Sequence, residues 1–238
     1  MILYFIRHGR QSSRDCNTNV GLSEEGKRQA ELVGERIERY PVDVLYSSHL
    51  IRAMETAQIA FKGQQELLAG RQIREGLAEI DFGGLTGQKD SVVKEFYRDY
   101  YRRQRELFEA GASPVSTEEV RAYTACYPAP VEDMVYPAGE GSAMVWARFR
   151  PVLDEWLASS YERIAVVTHG GFIRILLCGL FGGDFARRLQ FGNTLENCSI
   201  TEIRYDRAKG MFFLERFNDY AHLEAEPELL RSNYVKPN

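Results

Sequence analysis

Two of the chain's four histidines stand where an apolar run gives way to glycine. His8 lies in Arg7-His8-Gly9 after MILYFI, and His169 lies in His169-Gly170-Gly171 after RIAVVT. Imidazole is the side chain that can be neutral and nucleophilic near pH 7, and Arg7 beside it stays charged and grips phosphate or carboxylate oxygens with a planar fork. That combination suits group transfer from an anionic substrate. The apolar runs read as β-strands, and open α/β sheets bind ligands beyond the carboxyl ends of their strands. Both histidines are therefore expected at one crevice.

The elements that must position them follow from the pattern. After the first strand, Ser23 stands as an N-cap before Ala30, Leu32, Val33 and Ile37 at helical spacing, and Pro41 stops that helix. Residues 42–46 alternate toward a strand ending at Ser47-Ser48, and a second helix is expected over 49–61, a βαβα opening. A weak strand signal over 71–80 leads to the tight turn at Gly83-Gly84. From 88 to 136 the composition changes to a charged, Tyr-rich helix near 90–109, punctuation by Gly, Pro and Ser, and a shorter helical stretch near 117–126, which together read as a helical lid inserted into the sheet domain. Phe96-Tyr97 and Tyr100-Tyr101 among arginines fit an amphipathic lid helix better than an RNA contact. Gly139-Glu140-Gly141-Ser142 opens another helix, followed by strand 163–168, helix 171–181, and two β-runs near 198–205 and 211–217 that pair antiparallel. The tail from Glu224 reads as polar and mobile.

Composition bounds the function. The 238 residues are 44% hydrophobic and 27% charged, with a formal net charge of −4, enough for one substantial core. The expectation is a single domain over 1–238 with the insertion at 88–136. An acidic chain disfavours broad nucleic-acid binding, so any positive field must be local. Cys16, Cys126, Cys178 and Cys198 lack close-pair zinc spacing, which points to a reducing cytoplasm. The apolar start is too short for a signal peptide or a membrane span. Neither nucleic acid nor membrane is an expected partner, and the apolar helices or the β-rich C-terminal third could supply a homodimer face.

Four signals then stand in chain order: Arg7-His8-Gly9, Ser47-Ser48-His49-Leu50-Ile51-Arg52-Ala53 with Thr56-Ala57, Glu79 before a glycine turn, and His169-Gly170-Gly171. With Leu22-Ser23, Gly26, Gln29-Ala30, Leu77-x-Glu79-Ile80-Asp81-Phe82-Gly83 and Asn197-x-Ser199, the chain resembles the histidine phosphatase superfamily in its phosphoglycerate-mutase-like branch. The resemblance implies a three-layer α/β sandwich with a mostly parallel sheet and helices on both faces. It implies that His8 becomes a phosphohistidine, that Arg7, Arg52 and His169 hold the phosphoryl oxygens, and that Glu79 is the proton donor, with Asp81 a weaker candidate. Preorganised cationic donors around a fixed nucleophile are what phosphoryl transfer needs, and the helix start at Gly170 offers backbone N–H groups to the same anion. No cofactor or metal is expected.

The pattern also has departures. Arg10 intervenes before Gln11-Ser12, and the position where relatives carry an Asn falls on Arg14 or Asp15, so Arg14 is a candidate replacement. Arg10, Gln11 and Arg14 are candidate substrate-binding residues. Gly84-Leu85-Thr86-Gly87 stands where relatives often carry Trp and Glu. The loop from His8 to Leu22 is shorter than in cofactor-dependent mutases, which favours hydrolysis of a small phosphorylated metabolite. The alternatives are a phosphomutase, a two-histidine, one-carboxylate metal site built on His8 and His169, and a non-catalytic phosphate-binding or regulatory protein. His49 and His222 have no motif partner and read as structural or solvent-facing.

Overall fold

A computed structural model describes residues 1–111, 132–192 and 194–231. Its strands are β1 (Ile2–Arg7), β2 (Val44–Ser47), β3 (Gln72–Ile73), β4 (Arg163–Thr168), β5 (Ile200–Asp206) and β6 (Met211–Asp219). Its helices are α1 (Glu24–Ile37), α2 (Ile51–Ala60), α3 (Gln65–Ala69), α4 (Asp90–Gly111), α5 (Ser142–Ala158) and α6 (Gly170–Phe181). The sheet order is β3-β2-β4-β1-β5-β6. The first four strands run parallel, while β5 pairs antiparallel with β1 and with β6. This is the expected mostly parallel α/β sheet.

Period-two alternation puts one helical layer on each face. Leu3 and Phe5 of β1 and Ile164 and Val166 of β4 pack with Phe149 and Trp156 of α5 and Phe172 and Leu176 of α6. Tyr4, Ile6, Ala165 and Val167 point the other way, to Ala30 and Val33 of α1 and Ala53 and Ala57 of α2. Both central strands are thus buried on both sides, the reason they read as unbroken apolar runs. Ser23 caps α1 as its position predicts, accepting the Gly26 N–H at 3.1 Å.

Several boundaries differ from the sequence reading. The second helix starts at Ile51, because Asn19 rather than a residue near His49 accepts the Ile51 N–H, at 2.9 Å; His49 is exposed. The segment 71–80 holds only the two-residue β3 before a 3₁₀ turn over Glu75–Leu77. The stretch 117–126, and with it most of the lid insertion's middle, lies outside the described residues. The tail is anchored as far as Arg231. Leu229 is buried, its carbonyl accepts from Gln29 Nε2 at 2.7 Å, and Arg28 pairs with Glu226. One apolar side chain and two polar attachments to α1 suffice to dock a segment of polar composition.

α4 packs against the core by its aromatic stripe. Phe96 and Tyr97 meet Tyr136, with the Tyr97 and Tyr136 hydroxyls 2.7 Å apart, and Phe82 stacks on Tyr136 at 4.3 Å between ring centroids. At the insertion's far end, Asp133 accepts the Ser142 N–H at 2.7 Å and the Ser142 hydroxyl at 3.0 Å, and pairs with the buried Arg188. That carboxylate both starts α5 and fastens the returning chain.

Candidate active site

Strand register brings the two histidines together. Arg7 lies opposite Thr168 in the parallel β1–β4 pair, so His8 and His169 leave the sheet side by side, with ring centroids 5.0 Å apart. The His8 main chain is held at both ends, its N–H donating to the Thr168 carbonyl and its carbonyl accepting from Asn197 Nδ2, each at 2.8 Å. The Gly9 N–H then donates to the Thr56 hydroxyl at 2.9 Å. The chain here passes so close to α1 that a Cβ on Gly9 would lie 2.5 Å from the Gly26 carbonyl oxygen, and any larger residue would displace the nucleophile candidate.

The hydrogen bonds of the His8 ring fix its tautomer. Nδ1 lies 2.7 Å from the Gly9 carbonyl, which can only accept, so Nδ1 carries the proton. Nε2 is left with its lone pair and accepts from Arg52 Nε at 3.2 Å. Burial, reinforced by the charges of Arg52 and Arg7, holds the His8 pKa well below the ordinary imidazole value. The ring is therefore neutral at pH 7 with a nucleophilic nitrogen turned toward arginine. His169 is fully buried and its pKa is depressed by burial, then by Arg52, His8 and Arg7. Neither of its ring nitrogens has a hydrogen-bond partner among the described residues. A buried polar group without a partner costs about 1–3 kcal/mol, an expense that a bound oxyanion would offset.

Arg52, itself buried, is the hub of the site. Besides His8 it donates from Nη1 to the Thr18 carbonyl at 3.2 Å and from Nη2 to Asn17 Oδ1 at 2.7 Å. Arg7 donates to the Leu195 carbonyl and packs under the start of α6. The Glu79 carboxylate caps that helix, accepting the Gly171 N–H at 3.1 Å and the Phe172 N–H at 2.9 Å. The expectation that the α6 amides serve an outside anion is thus corrected for these two, since a side chain of the protein already engages them. Glu79 is aimed by Arg148 of α5, whose guanidinium holds the carbonyls of Gly76, Ala78 and Glu79 at 2.9, 2.9 and 3.0 Å and pairs with Glu140.

These groups border a cavity of about 700 Å³ lined by Arg7, His8, Arg52 and Glu79 at its base. Arg10, Gln11 and Arg14 reach its wall. Arg14 is exposed, Arg10 stands 3.8 Å from Glu25, and the Gln11 amide is spent on the carbonyls of Ser13 and Asp15, so it shapes the loop. In all, six basic side chains face three acidic ones, a local positive field on an acidic chain. Cys16 also lines the cavity, but burial, then Glu79, push its thiol up to about 11, so it is not a thiolate at neutral pH. No group of three or more His, Cys, Asp or Glu suited to a metal occurs among the described residues.

A family model for the histidine phosphatase superfamily, branch 1, matches residues 3–220. The chain belongs to that superfamily. Phosphoserine phosphatase 1 of Hydrogenobacter thermophilus is 28% identical over 228 residues, covering 93% of each chain. Phosphoglycerate mutase 1 of Saccharomyces cerevisiae is 29% identical over 206 residues, covering 78% of this chain and 81% of that one. The fold matches the mycobacterial glucosyl-3-phosphoglycerate phosphatase solved with inorganic phosphate, with a TM-score of 0.68 and 23% identity over 93% of this chain and 98% of that one. Histidine phosphatase membership and these relatives indicate phosphatase or mutase chemistry. No helix among the described residues is long and apolar enough to cross a membrane.

Sequence reasoning missed Asn17, Lys94 and Arg231, all on the cavity wall. The superfamily pattern sought an asparagine at a fixed offset from His8. The chain instead offers Asn17 farther along a loop, at a positive φ of 47° that asparagine tolerates. Lys94 and Arg231 carry no motif and are brought in by the insertion and the tail.

Proposed function

We propose that the protein is a metal-independent phosphomonoesterase acting through a phosphohistidine on a small phosphorylated metabolite. The observation that supports the reading is the neutral His8, its Nε2 lone pair accepting from Arg52, beside a buried His169 whose ring nitrogens have no partner among the described residues. The incoming phosphoryl group takes over the Arg52 donor, and Arg7, Arg52, His169 and the Asn17 side chain hold its oxygens. Nε2 attacks phosphorus in line, forming the P–N bond as the ester P–O bond breaks, and Glu79 protonates the leaving oxygen. Water then attacks the phosphohistidine, gives its proton to Glu79, and releases phosphate with His8 restored.

Each carboxylate oxygen has two lone pairs, so Glu79 can keep its helix-capping bonds and still face the cavity. The cationic excess at the cavity wall favours a substrate with a second anionic group. The relatives named for phosphoserine and glucosyl-3-phosphoglycerate act on esters that carry a carboxylate, in keeping with that reading. Hydrolysis is preferred to mutase chemistry on the length of the loop from His8 to Leu22.

The test is hydrolysis of p-nitrophenyl phosphate by the wild type and His8→Ala, with EDTA present. Chelator-resistant turnover that falls by about 10⁴-fold or more in the variant is expected. Turnover lost to EDTA, or retained in the variant, would overturn the proposal, and product analysis with 3-phosphoglycerate separates hydrolysis from isomerisation.

A further inference from the structure

Beside the phosphate cavity lies a smaller one of about 250 Å³, with Arg7 and Arg231 bordering both. Its wall includes Tyr97 and Tyr101, one helical turn apart on α4, together with Leu189 and Leu195. Arg7 and Arg174 on the same wall are engaged with protein carbonyls, those of Leu195 and of Phe191 and Gly192. The Tyr97 hydroxyl lies 2.7 Å from that of Tyr136. A phenol has one O–H to donate, and burial pushes the pKa of both phenols up, so both keep their protons at neutral pH. One proton is used inside the pair, and the other has no acceptor among the described residues. We propose that the smaller cavity receives the leaving-group arm of the substrate, and that the Tyr97 hydroxyl donates there to an oxygen of that arm. The inference rests on the phosphatase reading and adds to it a residue that selects among esters.

Burial decides which way the pair points. Tyr136 is 3% exposed and lines neither cavity, and its ring is covered by Phe82 at 4.3 Å and Phe96 at 5.7 Å between centroids. If Tyr97 donated to Tyr136, the Tyr136 proton would be the one left over, enclosed and unsatisfied, at a cost of about 1–3 kcal/mol. With Tyr136 donating instead, the remaining proton is on Tyr97, which borders open space and can offer it to a ligand. The donor is also held in place before any ligand arrives. Tyr136 fixes the Tyr97 hydroxyl, and Tyr100 fastens the same stretch of α4 by donating to the Glu132 carbonyl at 2.8 Å, which lowers the ordering cost of binding. Leu189 and Leu195 make part of the wall apolar, so a hydrogen bond formed there is weakly screened. An ester arm that lacks an oxygen fills the space and leaves the Tyr97 O–H without an acceptor, the situation in which a binding site discriminates best.

The experiment compares kcat/KM for ω-hydroxyalkyl phosphates of graded chain length with that for alkyl phosphates of the same heavy-atom count, in the wild type, Tyr97→Phe and Tyr136→Phe. The wild type is expected to favour the hydroxyl-bearing ester by about tenfold or more at the best chain length, and Tyr97→Phe to reduce that preference to less than about twofold. Both esters are read on the same protein, so a loss of folded protein or of general activity cancels in the ratio. Tyr136→Phe breaks the same hydroxyl pair but leaves Tyr97 its proton, and is expected to keep most of the preference. A wild type without preference at every chain length, or a preference unchanged in Tyr97→Phe, would overturn the assignment. Equal loss in the two variants would make the pair a packing element and overturn it as well. A wild type that hydrolyses no phosphate ester would sink the phosphatase reading alone. The Kd ratio of the same esters, measured by calorimetry on the same three proteins, then decides on Tyr97: a tenfold ratio that falls in Tyr97→Phe upholds the contact, and a ratio near one in the wild type overturns it.

Discussion

The floor and the rim of the cavity are built by different means. The floor is made at the ends of two adjacent, doubly buried strands, and its histidines are set by sheet register, by backbone bonds to Thr168 and Asn197, and by a buried arginine. The rim is made of a loop, an inserted helix and a docked tail, held by side-chain contacts such as Gln29 to Leu229 and Asn19 to Ile51. A strand end cannot shift without breaking the sheet, whereas a rim segment can change its residues at little cost to stability. The proposed mechanism accordingly places its chemistry on the floor and its choice of substrate on the rim.

After His8, the largest loss on p-nitrophenyl phosphate is expected at His169. On the proposed mechanism, replacement by Ala removes a buried donor to the transferring phosphoryl group, so kcat for p-nitrophenyl phosphate should fall about 10²–10³-fold. A fall of less than tenfold, measured by steady-state kinetics on folded protein, would reduce His169 to a packing role.

Glu79→Gln sharpens the division of labour. Loss of a general acid should lower kcat for esters with poor, alkyl leaving groups by about 10²–10⁴-fold, and by far less for p-nitrophenyl phosphate, whose leaving group needs no proton. Equal losses on both esters would make Glu79 a cap of α6 and nothing more.

The pH dependence separates floor from rim through the buried imidazoles. His8 and His169 have native pKa values well below the ordinary 6.5, and that of His222 is lowered to about 4 by burial, then by Arg36. Below pH 6.5 the unfolded chain takes up protons that the native chain refuses. Stability is therefore complete above 6.5 and declines as pH falls from there toward the native values. Urea midpoints should decrease from pH 7.5 to pH 5.5, and the acid limb of kcat/KM, corrected for ester ionisation, should lie below 6.5. An acid limb at 6.5 would mean that His8 titrates as an exposed imidazole.

The smallest effect belongs to the outer rim. Arg14 is exposed, and exposed ionic contacts are worth about 0.2–1 kcal/mol. Arg14→Ala should raise KM for a two-anion ester by about two- to fivefold without altering kcat, and adding Arg10→Ala should raise it further. No change in KM for any ester in the double variant would remove both residues from substrate binding.

What was legible in the sequence divides along the same line. The three layers, Ser23 as a cap, and the convergence of His8, Arg52, Glu79 and His169 could be read because apolar runs, glycines and fixed spacings encode strand ends. Asn17 was obscured because its loop differs in length from the superfamily pattern. Arg148 and Arg231 act on the site from α5 and from the tail, where only tertiary packing brings them near. The tail's composition reads as mobile, yet Leu229 and its neighbours on α1 hold it down. His222, without a motif partner, is structural: its Nε2 donates to the Cys198 carbonyl at 3.0 Å.

The phosphohistidine mechanism requires that His8 be transiently phosphorylated. Rapid quenching of turnover on a radiolabelled phosphate ester, under alkaline conditions that preserve phosphohistidine, followed by peptide mass analysis, tests it directly. Label is expected on the peptide containing His8, released by acid and absent from His8→Ala. Turnover at full rate with no labelled protein, or with label on another residue, would contradict it.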